Sequence, residues 1–163
     1  MKYALPHLII YSLHKASISL GNIERGRQIN ADNYFSNFMC KTLIIEDNTT
    51  FRQSLREILS NKFPSMLIGE AADAKEAMQR IEDQLPDIIF MDIKLPDESG
   101  LKLTEKIKAT YPDIIIIIIT SYNLPEYRDA AHQYGATHFL AKSSSTSNEI
   151  IELVESILSD MNQ

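Results

Sequence analysis

The sequence predicts an α/β domain in which a doubly wound, five-stranded parallel sheet is covered on both faces by five helices. The main observation is an alternation: five short apolar runs are separated by segments whose apolar residues recur at helical spacing. The second is the run of six isoleucines at 114–119, which lacks any polar alternation. Such a run is typical of a strand buried on both faces of a parallel sheet.

Each strand is predicted from a run of apolar residues that ends in a polar or turn-forming cluster. The predicted strands are 42–45, 66–70, 88–91, 114–119 and 137–140. The helices between them begin at capping or turn residues, and proline or glycine ends several of them. The starts are Asn48 or Thr49, the capping box of Asp73 and Glu76, the turn at 96–100, Pro125, and the capping box of Thr146 and Glu149.

The composition indicates one soluble domain and argues against several functional classes. The 163 residues are 44% hydrophobic and 23% charged, with a net charge of −6. A negative chain is unsuited to binding nucleic acid through a general basic surface. No apolar run approaches the ~18 residues of a membrane span. One cysteine, Cys40, cannot form an internal disulfide, which fits a cytoplasmic location.

Residues 1–38 differ from the rest of the chain, and we expect them to form a poorly structured extension. They hold four basic and two acidic residues, whereas the remainder is strongly acidic, and 21–37 show no sustained apolar period. A signal peptide is a weaker interpretation, because Lys2 is a meagre basic region and the apolar run is short. The expected domain is 39–163, and Met39 is a possible start of translation.

Chemically active residues follow four of the five predicted strands. The first strand is followed by Glu46 and Asp47, the third by Asp92, the fourth by Thr120, and the fifth ends near Lys142. Three carboxylates at one sheet edge would repel one another unless a cation joined them, and oxygen ligands of this kind suit Mg²⁺. A carboxylate placed between a divalent cation and a hydroxyl–ammonium pair suggests a group that accepts phosphoryl.

Each of these residues also has an ordinary explanation. Glu46 and Asp47 alone would fit a solvated loop, Asp92 a turn or helix cap, and Lys142 a surface lysine. Because the carboxyl ends of parallel strands share one edge, a single site explains all four strand ends together.

Four motifs give the chain a family resemblance. They are LIIEDN at 43–48, MDIKLPDESG at 91–100, ITS at 119–121 and FLAK at 139–142. Residues 41–159 together resemble a receiver domain of two-component response regulators. The resemblance implies a flavodoxin-like sheet with strand order 2-1-3-4-5.

The resemblance also implies a role for each site residue. Asp92 would be the phosphoacceptor, Asp47 a direct Mg²⁺ ligand, and Glu46 a ligand through water. The main-chain carbonyl of Lys94 would be a further metal ligand. Thr120 would be the switch hydroxyl and Lys142 the phosphate-binding lysine. Phe139 would be the switch aromatic, which turns inward on phosphorylation.

The implied function is a phosphorylation-activated signalling switch, not an enzyme acting on a separate substrate. The phosphodonor would be a sensor histidine kinase or a phosphotransfer protein. Phosphorylation would alter a surface for an unknown output partner or for a second copy of the chain. Neither a membrane nor nucleic acid would be bound by the chain itself, and Mg²⁺ is the only cofactor expected.

Two alternatives remain from the sequence. The loop at 95–100 and the serine-rich stretch after Lys142 are closest to receivers that precede a helix-turn-helix domain, so the chain could be the N-terminal part of such a transcriptional regulator. A haloacid-dehalogenase-type phosphatase also forms an aspartyl-phosphate, but it requires a second Asp where this chain has Lys94. Ser143 departs from the family, which often has proline there, and leaves the conformation of that loop open.

Overall fold

The structure, a computed structural model, describes residues 40–161, and these form five strands that alternate with five helices. In chain order they are β1 (Lys41–Ile45), α1 (Thr49–Lys62), β2 (Leu67–Ala71), α2 (Ala74–Gln84), β3 (Ile88–Met91), α3 (Gly100–Thr110), β4 (Ile115–Thr120), α4 (Pro125–Gln133), β5 (His138–Ala141) and α5 (Ser147–Met161). The extension predicted for 1–38, and the possible start at Met39, lie outside the described residues.

All five strands pair in parallel in the order β2-β1-β3-β4-β5, which confirms the predicted flavodoxin-like sheet. The order reverses between β1 and β3, where Ile45 lies opposite Met91. Open α/β sheets bind ligands beyond the carboxyl ends of the strands at such a reversal point. The fold therefore places the residues that follow β1 and β3 in the crevice expected of a site.

The isoleucine run is buried on both faces of the sheet, as predicted. Ile116 and Ile118 belong to an apolar cluster that contains buried residues of α2, α3 and α4. Ile117 and Ile119 belong to the cluster on the opposite face, with residues of α1 and α5. Alternate side chains of one strand therefore join two separate cores, which explains why no position in the run is polar.

Most predicted helix starts and stops are confirmed. Asn48 caps α1 by accepting a hydrogen bond from Phe51 N at 3.0 Å, and Asp73 caps α2. The second capping box is reciprocal: Thr146 N donates to Glu149 Oε2 at 2.7 Å, and Glu149 N donates to Thr146 Oγ1 at 3.3 Å. Gly135 follows α4 with a φ of +93°, a conformation that glycine adopts without strain.

Three strands begin one residue later than predicted, at Leu67, Ile115 and His138, and a local turn takes up the expected first residue in the first two. Met66 N donates to Phe63 O, so Met66 closes a turn and the pairing with β1 starts at Leu67. Ile114 N donates in the same way to Tyr111 O. At the other end Thr120 pairs with Ala141, so this residue lies in β4 itself, not after it. None of the helices within 40–161 is long and apolar enough to cross a membrane.

Candidate phosphoryl-accepting site

The backbone fixes Glu46 and Asp92 next to each other at the carboxyl edge of the sheet. Asp92 N donates to Ile45 O at 3.0 Å, and Glu46 N donates to Ala71 O at 3.0 Å. These bonds continue the β1–β3 and β1–β2 ladders by one residue. Both side chains are therefore held by the sheet, which is a more rigid support than a free loop.

Glu46, Asp47 and Asp92 form an acidic cluster in which one carboxylate oxygen of each lies within 4.8 Å of the others. Glu46 and Asp92 are buried, whereas Asp47 is exposed. Burial raises the pKa of the Glu46 carboxyl, and the charge of Asp92 adds to that rise. The hydrogen bond and charge of Lys142 act in the opposite direction and lower this pKa.

Lys142 reaches the cluster from the end of β5. Lys142 N donates to Thr120 O at 2.8 Å, which holds the residue beside β4. Its ammonium lies 2.8 Å from Asp92 Oδ2 and 2.5 Å from Glu46 Oε2, and the side chain is only 13% exposed. Residues 50 positions apart in the sequence are thus in direct contact, as the strand-end argument predicts.

The cluster has the chemistry of a site for a hard divalent cation. Three carboxylates face one ammonium, and the attraction of Lys142 compensates them only in part. Among residues 40–161, Glu46 Oε2 is the buried side-chain oxygen that lacks a hydrogen bond of acceptable geometry, although it forms the close ion pair with Lys142. A buried, incompletely compensated carboxylate with further oxygens nearby fits Mg²⁺.

Thr120 lies at the last position of β4 and is completely buried. Its hydroxyl oxygen accepts a hydrogen bond from Tyr122 N at 3.4 Å, which links the threonine to the loop that follows. Lys94 lies in the loop after Asp92, where its main-chain N–H donates to Asp92 Oδ1 at 3.3 Å. An antiparallel bridge between Lys94 and Ser99 closes this loop.

Phe139 is already buried among core residues in this structure, with 7% of its surface exposed. The Arg128 guanidinium stacks on the ring at 4.6 Å from its centroid, and Arg128 Nη1 donates to Phe139 O at 3.4 Å. The family resemblance predicts that this ring turns inward on phosphorylation. From this arrangement no inward rotation is needed, since the core and Arg128 already enclose the ring.

Three residues near the cluster were missed from the sequence. The Phe51 ring lies over Lys142 Nζ, and Arg52 Nη1 donates to Glu46 O. Gly100 approaches the main-chain oxygen of Asp92 so closely that an added Cβ would lie 1.9 Å from it. The available signal was position: Phe51 and Arg52 fall in the first turns of the helix that follows the acidic pair.

The family model of the response regulator receiver domain matches residues 42–155. The transcriptional regulatory protein YdfI of Bacillus subtilis is 34% identical over 108 residues, which cover 66% of this chain and 50% of YdfI. The DNA-binding transcriptional activator DevR/DosR of Mycobacterium tuberculosis is 31% identical over 104 residues, 64% of this chain and 48% of that protein. The chain spans about half the length of these two curated relatives.

Solved structures agree with the family match. A CheY-like receiver domain protein from Methanospirillum hungatei superposes with a TM-score of 0.68 at 28% identity, covering 75% of this chain and 95% of the other. A LuxR-family two-component response regulator from Aurantimonas gives a TM-score of 0.69 at 28% identity, with 75% and 86% covered. From the matched fold, the strand-end site and the family model together, the chain belongs to the receiver domain family of two-component response regulators.

Proposed function

We propose that Asp92 accepts a phosphoryl group, in a Mg²⁺-dependent reaction, from a sensor histidine kinase or a phosphotransfer protein. The observation that carries the proposal is the position of its carboxylate, which is bonded to the Lys142 ammonium and lies within 4.8 Å of the Glu46 and Asp47 carboxylates. A nucleophile between a cation-binding cluster and a fixed ammonium is the arrangement that phosphoryl transfer needs.

The transfer needs the phosphohistidine, the Asp92 carboxylate and one proton from solvent. A carboxylate oxygen of Asp92 attacks the phosphorus of a phosphohistidine as the P–N bond breaks, and the electron pair returns to the imidazole nitrogen. The product is an acyl phosphate on Asp92 and a neutral histidine once that nitrogen is protonated. Lys142 and the hydroxyl of Thr120 would hold the phosphoryl oxygens, because an ammonium and an O–H are both donors.

Mg²⁺ would be held by Asp47 and Asp92 directly and by Glu46 through water, with the main-chain carbonyl of Lys94 as a further ligand. When bound, it would neutralise part of the charge on the transferred group. The acidic cluster supports this assignment, since its three carboxylates have one neighbouring ammonium between them.

The signal would leave the site through Thr120 and Phe139. Attraction of the Thr120 hydroxyl to the new phosphoryl oxygens would compete with its present bond to Tyr122 N, and so would alter the loop before α4. Because the Phe139 ring is already enclosed, we propose that phosphorylation stabilises this enclosed arrangement over others. The surface of α4, β5 and α5 would then present the changed face to an output partner or a second copy.

We infer that this chain transmits a signal in the cytoplasm and does not act on a separate substrate. An aspartyl-phosphate phosphatase needs an Asp as general acid two residues after its nucleophile. In this chain the residue two positions after Asp92 is Lys94. Transcriptional control is the second candidate function, supported by the names of YdfI and DevR/DosR. Any DNA contacts would have to come from elsewhere, since residues 39–163 carry 20 acidic against 12 basic side chains.

The proposal is tested by phosphorylating the chain with a small-molecule donor such as acetyl phosphate and following intact mass as Mg²⁺ is varied. We expect a single acid-labile addition that requires Mg²⁺. Asp47→Asn should need much more Mg²⁺ for the same rate, because a direct ligand is lost. The matched control is Asp83→Asn, an exposed acid on α2 outside the cluster, which should leave the Mg²⁺ dependence unchanged. Equal Mg²⁺ dependence in both variants would contradict the metal assignment.

A further inference from the structure

A continuous series of contacts links the aromatic ring of Phe51, the ammonium of Lys142 and the carboxylate of Glu46. Glu46 Oε1 accepts from Asn48 N at 3.2 Å, and Asn48 Oδ1 accepts from Phe51 N at 3.0 Å. The Phe51 ring centroid lies 4.4 Å from Lys142 Nζ, and the same ammonium forms the ion pair with Glu46 Oε2. Asn48, the N-cap of α1, therefore connects Glu46 of the acidic cluster to Phe51, whose ring faces the Lys142 ammonium.

The distance and the surroundings are those of a cation–π contact. An ammonium within about 6 Å of a ring centroid is attracted to the negative face of the ring, and the attraction grows when water is excluded. Lys142 is largely buried, and Phe51 packs against the apolar cluster on the same side of the sheet as α1 and α5. The ring thus meets the ammonium where little water competes.

We propose that Phe51 is a positioning residue for Lys142, a role that rests on the proposed phosphoryl transfer to Asp92. The reason is the change in partners that the reaction brings. Phosphorylation converts the Asp92 carboxylate, now 2.8 Å from Lys142 Nζ, into an acyl phosphate, so this ion pair cannot persist as it stands. A ring attracts the ammonium without neutralising it, and therefore holds Lys142 in the site while leaving its charge for the phosphoryl oxygens.

The ring is also placed independently of the reacting group. Phe51 is held by the Asn48 cap at the start of α1, and none of its described polar contacts is with Asp92. Its position should therefore be the same before and after transfer. A carboxylate in this place would instead compete with the phosphoryl group for the same cation.

The test replaces Phe51 with pentafluorophenylalanine, which keeps the shape of the ring but reverses the sign of its electrostatic face. The same replacement at Phe63, which is buried in the same apolar cluster, is the matched control for packing. The first readout is the rate of phosphorylation by acetyl phosphate at saturating Mg²⁺. We expect it to fall about three- to tenfold for Phe51, in line with a desolvated cation–π contact, and to stay unchanged for Phe63.

The second readout is the NMR shift of the Lys142 ε-methylene protons, which the aromatic ring current displaces without any phosphorylation. We expect a displaced signal in the parent chain that moves toward the ordinary lysine position when Phe51 is fluorinated. A parent chain that takes no phosphoryl group would refute the function proposed for Asp92, while this shift would still decide the role of Phe51. The proposal is overturned if the Lys142 signal is undisplaced in the parent, or if both fluorinated chains react at equal rates.

Discussion

At the residue scale, Gly100 is a position at which the neighbouring backbone leaves no room for a side chain. It begins α3 directly after the loop that follows Asp92, and Gly100 N donates to Ile93 O at 2.8 Å. An added Cβ would lie 1.9 Å from Asp92 O and 2.9 Å from Asp92 C, both of them backbone atoms that cannot swing aside. The absence of a side chain at Gly100 is thus a condition for the position of Asp92.

Gly100→Ala should therefore lower the free energy of unfolding by about 3 kcal/mol or more, the upper range for overpacking, because the backbone itself must move. Urea unfolding measures the change. Gly69→Ala is the control, since its added Cβ would lie 3.2 and 3.3 Å from the Gln84 and Leu43 side chains, and the nearest backbone atom, Thr42 O, would be at an ordinary contact distance of 3.9 Å. We expect a cost below about 1 kcal/mol there, given that alanine suits a strand interior better than glycine. Similar losses in the two variants would refute the backbone clash.

The positions of the site residues were predictable from the sequence where the sheet alone determines them. Asp92 follows β3 and Lys142 follows β5, two strands of one parallel sheet that are separated by β4, so the topology places both residues at the same edge. The contact of Phe51 with Lys142 was not predictable, because it depends on the rotation of α1 about its axis and on two side-chain rotamers. The burial of Phe139 under Arg128 depends in the same way on side-chain conformation.

At the scale of elements, one side chain connects the loop that follows Asp92 to the start of α2. The Asp97 carboxylate accepts from Ala74 N at 2.9 Å and from Lys75 N at 3.1 Å, the first two residues of α2. These N–H groups have no partner within the helix, and an anion there also complements the helix dipole. The bond from Ala74 N is the main cause that lowers the pKa of Asp97.

Asp97→Ala should destabilise the chain at neutral pH and progressively less in acid. The lowered pKa means that the folded chain holds the Asp97 proton less tightly than the unfolded chain does. Its contribution to stability is therefore fully present above the ordinary value of 3.8 and is lost as pH falls through the lower folded value. Urea unfolding at pH 7, 5 and 3 measures the difference between parent and variant. Asp83→Ala, an exposed α2 variant, is the control, and a difference for Asp97→Ala that does not shrink in acid would contradict the account.

The proposed switch through Thr120 would couple the end of β4 to α4, β5 and α5. Thr120→Ala should still accept a phosphoryl group at Asp92 but should respond weakly, since the hydroxyl that would meet the phosphoryl oxygens is gone. Amide chemical shifts over 125–159, with beryllofluoride and Mg²⁺ as the phosphoryl mimic, measure the response. Thr120→Ser keeps the hydroxyl and should behave like the parent. If Thr120→Ala gives the same distant shifts as the parent, the signal leaves Asp92 by another route.

Element boundaries show what the sequence could and could not predict at this scale. Helix starts were predictable where a side chain forms the cap, as at Asn48, Asp73 and Thr146. Strand starts were shifted by one residue at Leu67 and Ile115, because the turns before them use main-chain bonds that any residue can form. Hydrophobic pattern alone does not distinguish a buried turn residue from the first residue of a strand.

At the scale of the whole molecule, the part of the chain that the structure describes builds two apolar clusters from residues 40–158. One apolar cluster covers each face of the sheet, and the two clusters together contain buried residues from all five helices. The fold class was predictable for this reason: two buried faces require uninterrupted apolar strands, and amphipathic helices must alternate with them. The sheet order was obtained only through the family resemblance, because local pattern does not specify which strands pair.

A chain that begins at Met39 should consequently keep the stability of the full chain, with a melting temperature within a few degrees of it. Both apolar clusters would be intact, so no buried surface that they account for is lost. Thermal unfolding of the two chains side by side measures this. A loss of about 2 kcal/mol or more, a large share of typical domain stability, would show that residues 1–38 are part of the fold.

The most direct test of the central claim is to locate the phosphoryl group. After reaction with acetyl phosphate and Mg²⁺, borohydride reduces an acyl phosphate of aspartate to homoserine, and tandem mass spectrometry identifies the residue changed. We expect homoserine at position 92 and none in Asp92→Asn, which keeps the shape of the side chain but lacks the nucleophile. Reduction at Asp47, or phosphorylation that persists undiminished in Asp92→Asn, would contradict it.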